Sequence, residues 1–595
     1  MITPTLHYDL FHDKLLRRRL SSFGFPNHLS DRFRFIEKWL QFTAAGHMHN
    51  QLTEAEFLHD LFVEILGYRS PFHNDHQLAE LEFHPAPALG FFGENCCDIV
   101  AEITISDRYQ GKPEPRHPET EWLLVTDFQR LWLYHQNYPS LLAQSFIFEE
   151  LADDEKMREF YFLLSRRTLL KGLPTSKEVS RTTQLLQECQ QLENDVLRGF
   201  YQQYTKIRGQ LIKDFRYRLR QSLHNSPSAT GATTESAISD SKLDEDTSDQ
   251  EQLMEHEALR NAQKLLNRVI FIAFGETNGI LPRHLMRDAY EFKNPYIDQP
   301  VWENYKAVFR WIRQGNSRHV PPINDYDYSL FSEDPVLDQE LFVGDELCRQ
   351  IKELNRFDLK EEVSAAVLAC FWDELIKDIG QFKKDRHTLS KKRTPKFPAK
   401  ILLQTASAVT QVRQYLYSRN THPLPSADAP LEEKIAFWQN HYENLQGLKI
   451  IHSRCGAGII LIAMLDFLLA EYQYTYRQLL SLGILPHNIF NLINHNLADS
   501  AGEPSSDHDV INTAEIPLTE SWLIYILKNH LYGCDIFPEM LEIARLNLAL
   551  RLIPYAIPVA LLESRLLVGT IEDAPFDQLC YDAIRNGNAL VISKL

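Results

Sequence analysis

The sequence predicts a multidomain α/β protein, and three observations lead to this prediction. The chain has 595 residues, which is enough for several domains. The short apolar segment Leu448–Ile451 is followed by a glycine turn and a long apolar segment, as in the strand–turn–helix unit of a doubly wound sheet. Between residues 146 and 384, apolar residues recur at helical spacing in otherwise polar segments, which indicates a helical middle part.

The glycine turn runs from Cys455 to Gly458 with the sequence CGAG, and we expect a helix from Ile459 to Glu471. A turn of this kind lets a ligand approach the backbone N–H groups at the N-terminus of a helix. A glycine pair at this spacing is common, so it is weak evidence for a nucleotide site when it stands alone.

A second predicted strand, Leu531–Cys534, ends at Asp535, and Pro538 lies near the start of the next helix. Proline is tolerated there because the first N–H groups of a helix have no intrahelical partner. An acidic residue at the end of the second strand is the usual partner of a ribose hydroxyl pair. The two segments together predict a nucleotide site, and an ordinary α/β turn with a capping Asp535 is the alternative.

These segments resemble motifs I and II of gamma-type adenine-specific N6 DNA methyltransferases. The closest pattern is that of type IIG restriction–modification enzymes, which join a nuclease, a helical spacer and a methyltransferase in one chain. Motif I of that family reads approximately D-P-A-C-G-S-G, and this sequence has HSRCGAG from His452 to Gly458. The family's N-L-Y-G-x-D-I-x-P is matched by HLYGCDIFP from His530 to Pro538. The resemblance extends over most of the chain.

The resemblance implies a partial Rossmann-like methyltransferase domain at residues 385–595, with motifs X, I, II and III and with S-adenosylmethionine as cofactor. Motif X departs from the family pattern and reads Lys396-Phe397-Pro398 in this sequence. A helix is expected to follow from about Ala399. The segment 586–590, NGNAL, resembles C-G-N-S-L at the family's motif III strand, where the polar residue faces the adenine. The implied cofactor-binding residues are Cys455, Gly456, Gly458, Asp535, Ile536 and Asn588.

Departures from the family pattern predict that the methyltransferase domain at residues 385–595 binds its cofactor weakly or not at all and is inactive by itself. His452 replaces the motif I acid and Arg454 follows, and we expect both to oppose the positive sulfonium of S-adenosylmethionine, so that binding is weak or lost. The catalytic N-P-P-Y or N-P-P-F motif occurs nowhere in the 595 residues. We therefore expect an N-terminal portion truncated before that motif. A candidate partner is a second chain that supplies N-P-P-Y and the target-recognition domain.

Residues 1–145 resemble the nuclease domain of the same enzymes. An amphipathic helix is predicted over 51–68, capped by Thr53 and ended by Gly67, and it carries Glu56. A strand alternating around Ile99 to Ile105 carries Glu102, and the segment EWLLVTDFQRLWLYH predicts a buried strand pair.

The nuclease chemistry needs two acidic groups to hold Mg²⁺ and a lysine to orient or activate the water. The family's second acid corresponds here to Pro87, and its lysine corresponds to Thr104. We therefore expect a degenerate nuclease-like domain with Glu56 and Glu102 as vestigial acids, no intact catalytic residue and no bound Mg²⁺.

The middle of the chain divides into a helical connector at 146–224, an insertion at 225–252 and a helical spacer domain at 253–384. The insertion has no apolar period and is predicted to be disordered. The connector carries a basic cluster, for which contact with a DNA backbone and a solvated helix face are both open interpretations. Its members are Lys206, Arg208, Lys213, Arg216, Arg218 and Arg220.

The composition limits the classes of function. A net charge of −18 argues against attraction of DNA to the whole surface, although a local basic groove remains compatible with it. Eight Cys without metal-type spacing predict reduced thiols and a cytoplasmic location. No apolar run reaches the length of a membrane span, and the N-terminus lacks a signal-peptide core, so no membrane partner is expected.

The expected function is that of a site-specific adenine-N6 DNA methyltransferase of a restriction–modification or phage-defence system, present as an incomplete or inactive N-terminal fragment with DNA as a partner. The alternative is a non-catalytic scaffold subunit of a defence complex that binds DNA or a partner protein.

Overall fold

In the computed structural model the chain is a mixed α/β protein in which helices predominate and the strands form two small sheets. The structure describes residues 9–26, 32–44, 51–69, 81–84, 89–94, 98–105, 120–138, 142–170, 179–225, 240–315, 318, 329–355, 357, 371–372, 375, 399–425, 429–484, 518–552, 566–568 and 589–592. One sheet lies in the N-terminal part, the other in the C-terminal part, and long helices connect them.

The N-terminal part contains a mixed sheet and the helices that pack on it. The helices are α1 (Asp13–Ser22), α2 (Arg32–Ala44) and α3 (Gln51–Leu58), which continues as a π-helical turn (His59–Ile65). The strands are β1 (Leu81–His84), β2 (Leu89–Glu94), β3 (Asp98–Ile105), β4 (Trp122–Thr126), β5 (Arg130–His135) and β6 (Gln144–Ile147). They pair in sequence order, with β3 and β4 parallel and the other pairs antiparallel.

The predicted strand at β3 and the strand pair β4–β5 are confirmed. The predicted helix over 51–68 is also present, but it starts at Gln51, so Thr53 lies inside its first turn and the prediction of a Thr53 cap was wrong. Gly67 has φ 78° and ends the helical segment as expected, because glycine adopts this left-handed conformation without a Cβ clash.

The first hydrophobic core does not stop at the predicted boundary after residue 145. After β6 come a 3₁₀ turn (Phe148–Ala152), α4 (Asp154–Leu164), α5 (Arg166–Leu169) and the start of α6 (Arg181–Asn225). Their buried side chains join a core that extends from Leu10 to Cys189. The rings of Phe146 and Phe160, for example, pack edge to face with centroids 5.1 Å apart. The first part of the predicted connector therefore belongs to the N-terminal core.

The helical middle part contains α7 (Asp240–Thr277), α8 (Leu285–Glu291), α9 (Val301–Gln314) and α10 (Asp345–Leu354), and α7 packs along α6. The prediction of disorder over 225–252 was wrong for residues 240–252, which are helical, while 226–239 lie outside the described residues. The segment has few apolar residues, but it continues directly into a helix that is buried from Ala258 onward. Its acidic residues also lie near a helix N-terminus, where negative charge is favourable.

The C-terminal part is a parallel sheet with helices packed on it. Its helices are α11 (Ala399–Ser418), α12 (Leu431–Gly447), α13 (Ile459–Ser481), α14 (Leu518–Asn529) and α15 (Pro538–Leu552). Its strands are β7 (Lys449–His452), β8 (Leu531–Asp535), β9 (Leu566–Val568) and β10 (Ala589–Ile592). The strand predictions at β7 and β8 and the helix starts at Ala399, Ile459 and Pro538 are confirmed.

The second core extends from Leu197 to Ile592 and includes both the spacer helices and the parallel sheet. Helix α15 beside the sheet also contacts α7 of the spacer. The predicted boundary between residues 384 and 385 therefore does not separate two hydrophobic cores.

The strand order of the parallel sheet is β10-β7-β8-β9. Taken in chain order, this is the 3-2-1-4 arrangement of a doubly wound fold, whose topological switch point lies between the first and fourth strands, here β7 and β10. The motif resemblance places Asn588 at the family's motif III strand. In the structure the strand that follows residue 588 is β10, the fourth strand of this sheet in chain order. Asn588 itself lies outside the described residues.

Helix α13 is the central helix of this core. Among the described residues it is the one helix long and apolar enough to cross a membrane, and 67% of its most apolar window is buried inside the protein. It is longer than predicted, reaching Ser481 instead of Glu471, because Tyr472, Thr475 and Leu479 continue its buried face.

Candidate functional site

The candidate site lies where β7 and β8 end side by side, with His452 in register with Gly533. The glycine turn begins directly after His452. The Cys455 N–H donates to the Cys534 carbonyl at 3.0 Å, and the Gly456 N–H donates to Asp535 Oδ2 at 3.2 Å. The structure thus brings Cys455, Gly456 and Asp535 together, and their role in cofactor binding stays a prediction.

Asp535 connects the two strand ends through both carboxylate oxygens. Oδ2 accepts from the Gly456 N–H, and Oδ1 accepts from the Phe537 N–H at 3.1 Å. An ionised carboxylate has about four acceptor positions, so these two bonds leave acceptor capacity for a ligand. The Asp535 side chain is largely buried, so its unoccupied acceptor positions are mostly shielded from solvent.

Two glycines allow the helices to approach the sheet closely. Gly458 has φ 75° at the start of α13, and a Cβ there would lie 3.2 Å from the Ala544 Cβ of α15. A Cβ on Gly533 would lie 2.9 Å from Leu461 Cδ1 and 2.7 Å from Leu566 Cδ2. The glycine of the YGCD segment therefore has a packing role between α13 and β9.

Asn547 was missed by the sequence reasoning. It lies on α15, is buried, and its Nδ2 donates to the Ala457 carbonyl at 3.0 Å, which ties the glycine turn to that helix. The available signal was a polar residue in an apolar helical segment, ARLNLALR, three positions after Ala544. That signal alone does not reveal which carbonyl the amide contacts.

His452, which the resemblance aligns with the motif I acid, is buried in a site that favours the neutral imidazole. Its side chain is only 5% exposed, and this burial lowers its pKa to about 4. Burial disfavours the charged imidazolium because it removes water from around it. The expectation that the replacement of the motif I acid by His452 opposes a sulfonium stays a prediction, and it depends on the missing carboxylate and not on a charged imidazole. Arg454 is exposed.

Three apolar side chains are exposed around Asp535. Ile536 is 52% exposed and Phe537 39%, and both follow Asp535 directly. Val568, which is 50% exposed, is the β9 residue in register with Asp535. Ile536 was predicted as a site residue, whereas Phe537 and Val568 were not. Val568 could not be found from the sequence because β9 is only three residues long and has no motif.

The two cysteines of the site are not suited to be nucleophiles. Cys455 and Cys534 are free and buried. Burial raises the pKa of the Cys534 thiol to about 11 and that of the Cys455 thiol further above its usual range. A thiol that stays protonated at neutral pH is a poor nucleophile, so the chemistry of this site does not run through cysteine.

In the N-terminal part, Glu56, the helix acid expected from the resemblance, is engaged by a lysine. Lys38 Nζ on α2 lies 2.6 Å from Glu56 Oε1 and 2.6 Å from Asp60 Oδ2. A metal ion at Glu56 would have to displace this ammonium. Glu102 is in β3, in register with Phe91 and Leu123, but its side chain and Pro87 lie outside what the structure describes. Among the described residues no group of three metal-ligating side chains occurs.

We expect the protein not to cleave DNA in the presence of Mg²⁺ or Mn²⁺. The reasons are Pro87 and Thr104 at the acid and lysine positions, together with the Lys38 ion pair at Glu56. The measurement is conversion of supercoiled plasmid on agarose gels, with Glu102→Ala as the control for a contaminating nuclease. Cleavage by the wild type that Glu102→Ala abolishes would contradict this prediction.

The basic cluster of α6 is largely occupied by ion pairs. Arg216 lies 3.5 Å from Glu255, Arg218 3.0 Å from Asp214 and Arg220 2.7 Å from Glu251, while Arg208 is fully buried. These pairs use carboxylates of α6 itself and of α7. These ion pairs fit a solvated helix face for the three arginines, and contact of the cluster with a DNA backbone stays an open interpretation.

Comparisons with known proteins identify no relative. No protein-family model, no curated protein and no solved structure matches this chain. A functional proposal therefore depends on the geometry of the site and on the motifs of the sequence.

Proposed function

We propose that residues 385–595 form the cofactor-binding part of an adenine-specific N6 DNA methyltransferase of the type IIG kind. The observation that carries the proposal is the connection of Asp535 to the glycine turn at the carboxyl edge of a parallel sheet. In open α/β sheets, ligands bind outside the carboxyl ends of the strands, and the ends of β7 and β8 belong to this edge. This is also where the resemblance to motifs I and II places S-adenosylmethionine.

The geometry suits an adenosine moiety. The remaining acceptor positions of Asp535 can take hydrogen bonds from the two ribose hydroxyls. Ile536, Phe537 and Val568 offer apolar surface next to Asp535 for the adenine ring. The backbone of the glycine turn and the N-terminus of α13 lie on the other side of Asp535, toward the 5′ end of the ribose.

In the proposed function, a second chain supplies the groups that hold the target base. N6 methylation needs an Asn side chain and a Pro carbonyl to accept hydrogen bonds from the adenine amino group, and an aromatic ring to stack on the flipped base. In the family the N-P-P-Y motif supplies them, and this sequence contains no such motif. Strand β10 is at the edge of the described sheet, with Val591 40% exposed, and such an edge can pair with a further strand.

The purified chain alone should transfer no methyl group to DNA, because it lacks the acceptors for the target adenine. The measurement is incorporation of label from tritiated S-adenosylmethionine into unmethylated DNA. Adding the product of the adjacent gene should restore transfer if that product carries N-P-P-Y. Restored transfer should be lost with Asp535→Ala and kept with Asp298→Ala, a control that removes an exposed carboxylate far along the chain.

Label transfer by the chain alone would contradict this prediction. Restored transfer that survives Asp535→Ala would contradict the assignment of Asp535 to the cofactor. Absence of transfer with the added protein, together with absence of cofactor binding, would favour the scaffold alternative over the methyltransferase.

A further inference from the structure

We infer that the glycine-turn site takes an adenosine ligand whose 5′ sulfur is an uncharged thioether, with S-adenosylhomocysteine as the chemical type, in preference to the sulfonium donor. The inference rests on the proposed function, because it concerns the same site. It adds that the site prefers the thioether over the sulfonium, and that His452 is the residue that sets this preference.

The His452 side chain lies at the end of β7, on the face of the sheet that packs against α13. Along β7, Ile450 belongs to the core shared with α13, and Ile451 belongs to a small cluster on the opposite face of the sheet. Because successive side chains of a strand alternate between the faces, His452 lies on the α13 face. The turn that follows it ends at the N-cap of α13.

One ring nitrogen of His452 has an unsatisfied hydrogen-bonding position. Its Nδ1 is buried and has no hydrogen-bond partner in the described part of the protein. A buried polar atom without a partner is costly, so such an atom is usually completed by water or a ligand. A neutral imidazole can form one hydrogen bond at this atom without bringing a charge to the site.

The charges around the turn do not favour a cation. The N-terminus of a helix carries a partial positive charge, and the first turn of α13 contains no acidic residue. Arg454 in the turn is exposed and positive. The carboxylate of Asp535 is already engaged by the N–H groups of Gly456 and Phe537. A sulfonium at this point therefore lacks the carboxylate that an acid at position 452 would supply.

An anionic substituent is not favoured either. The Gly456 N–H, a donor that a phosphate at the turn would use, already donates to the Asp535 carboxylate. The uncharged thioether avoids both penalties. The site would then respond to the spent cofactor of a methyl transfer more strongly than to the donor.

The test is isothermal titration calorimetry of the full chain at pH 7.5 with three probes: S-adenosylmethionine, S-adenosylhomocysteine and adenosine 5′-monophosphate. We expect the thioether to bind about tenfold more tightly than the sulfonium, and the monophosphate to bind no more tightly than the thioether. His452→Asp should raise the affinity for the sulfonium about tenfold and leave the thioether nearly unchanged. His452→Asn, which is polar but neutral, should keep the wild-type preference.

The outcomes separate this inference from the proposed function. Tighter binding of the sulfonium by the wild type, lost with Asp535→Ala, would overturn the inference and leave the proposed function intact. An unchanged preference in a folded His452→Asp would also overturn the inference. Binding that is unaffected by Asp535→Ala, or no binding of any probe, would overturn the assignment of the cofactor site itself. If His452→Asp does not fold, the affinities of the wild type and of His452→Asn for the thioether and the sulfonium still test the preference.

Discussion

Replacing Arg268 with Met should lower the free energy of unfolding by about 3–5 kcal/mol, the usual cost of removing one partner of a buried ion pair. Arg268 on α7 is fully buried. Its Nη1 and Nη2 bind the two oxygens of Asp338 at 2.7 and 3.0 Å. Its Nε and Nη2 also donate to the carbonyls of Leu330 and Ser332 at 2.8 and 2.9 Å. Met fills a similar volume but leaves the carboxylate and both carbonyls without these donors.

The control for this prediction is Arg349→Met, which removes an exposed ion pair. Arg349 lies 2.6 Å from Glu346, but their side chains are 48% and 65% exposed. Such an exposed pair contributes little to stability, because water screens the charges. Urea unfolding followed by tryptophan fluorescence measures both variants. A loss for Arg268→Met as small as that for Arg349→Met would show that the buried pair does not hold the segment 329–340 to α7.

The double variant Arg268→Met, Asp338→Leu should recover part of the stability, because it leaves no charge unpaired.

Replacing Gly458 with Ala should lower the free energy of unfolding by about 2–5 kcal/mol. A left-handed conformation costs a residue with a Cβ about 1–2 kcal/mol, and overpacking adds about 1–3 kcal/mol. Gly458 has φ 75°, and the new methyl group would lie 3.2 Å from the Cβ and 3.3 Å from the Cα of Ala544. The backbone of α15 cannot move away as a flexible side chain would. Relief of the contact would shift α13 and, with it, the glycine turn.

The matched control is Gly483→Ala at the other end of α13. Gly483 has φ 76°, but no atom lies within 4 Å of the position that its Cβ would take. Replacing Gly483 with Ala should therefore cost about 1–2 kcal/mol for the left-handed conformation, without a packing cost. Equal losses in urea unfolding for the two variants would show that the contact with Ala544 costs nothing. Ligand binding should weaken for Gly458→Ala only, since Gly483 is 25 positions further along the chain, at the far end of the helix.

The candidate site illustrates how far sequence reasoning reaches. Asp535 and the glycine turn could be placed together because a strand end followed by a glycine turn has one common arrangement in doubly wound sheets. The charge of His452 could not be predicted, since it depends on burial by neighbouring elements. The same limit applies to Lys38, which neutralises Glu56 across two helices.

The sequence by itself determined the local elements around the site. The apolar segments of β7 and β8, the turn at Gly458 and the helix start at Pro538 follow from side-chain spacing and from the backbone preferences of glycine and proline, which act over a few residues. Only the tertiary structure decided that β10 lies beside β7, that α6 pairs its arginines with α7, and that one core extends across residue 384. These features depend on which distant segments meet and exclude water. No local pattern encodes them, because pairing and desolvation are properties of the assembled chain.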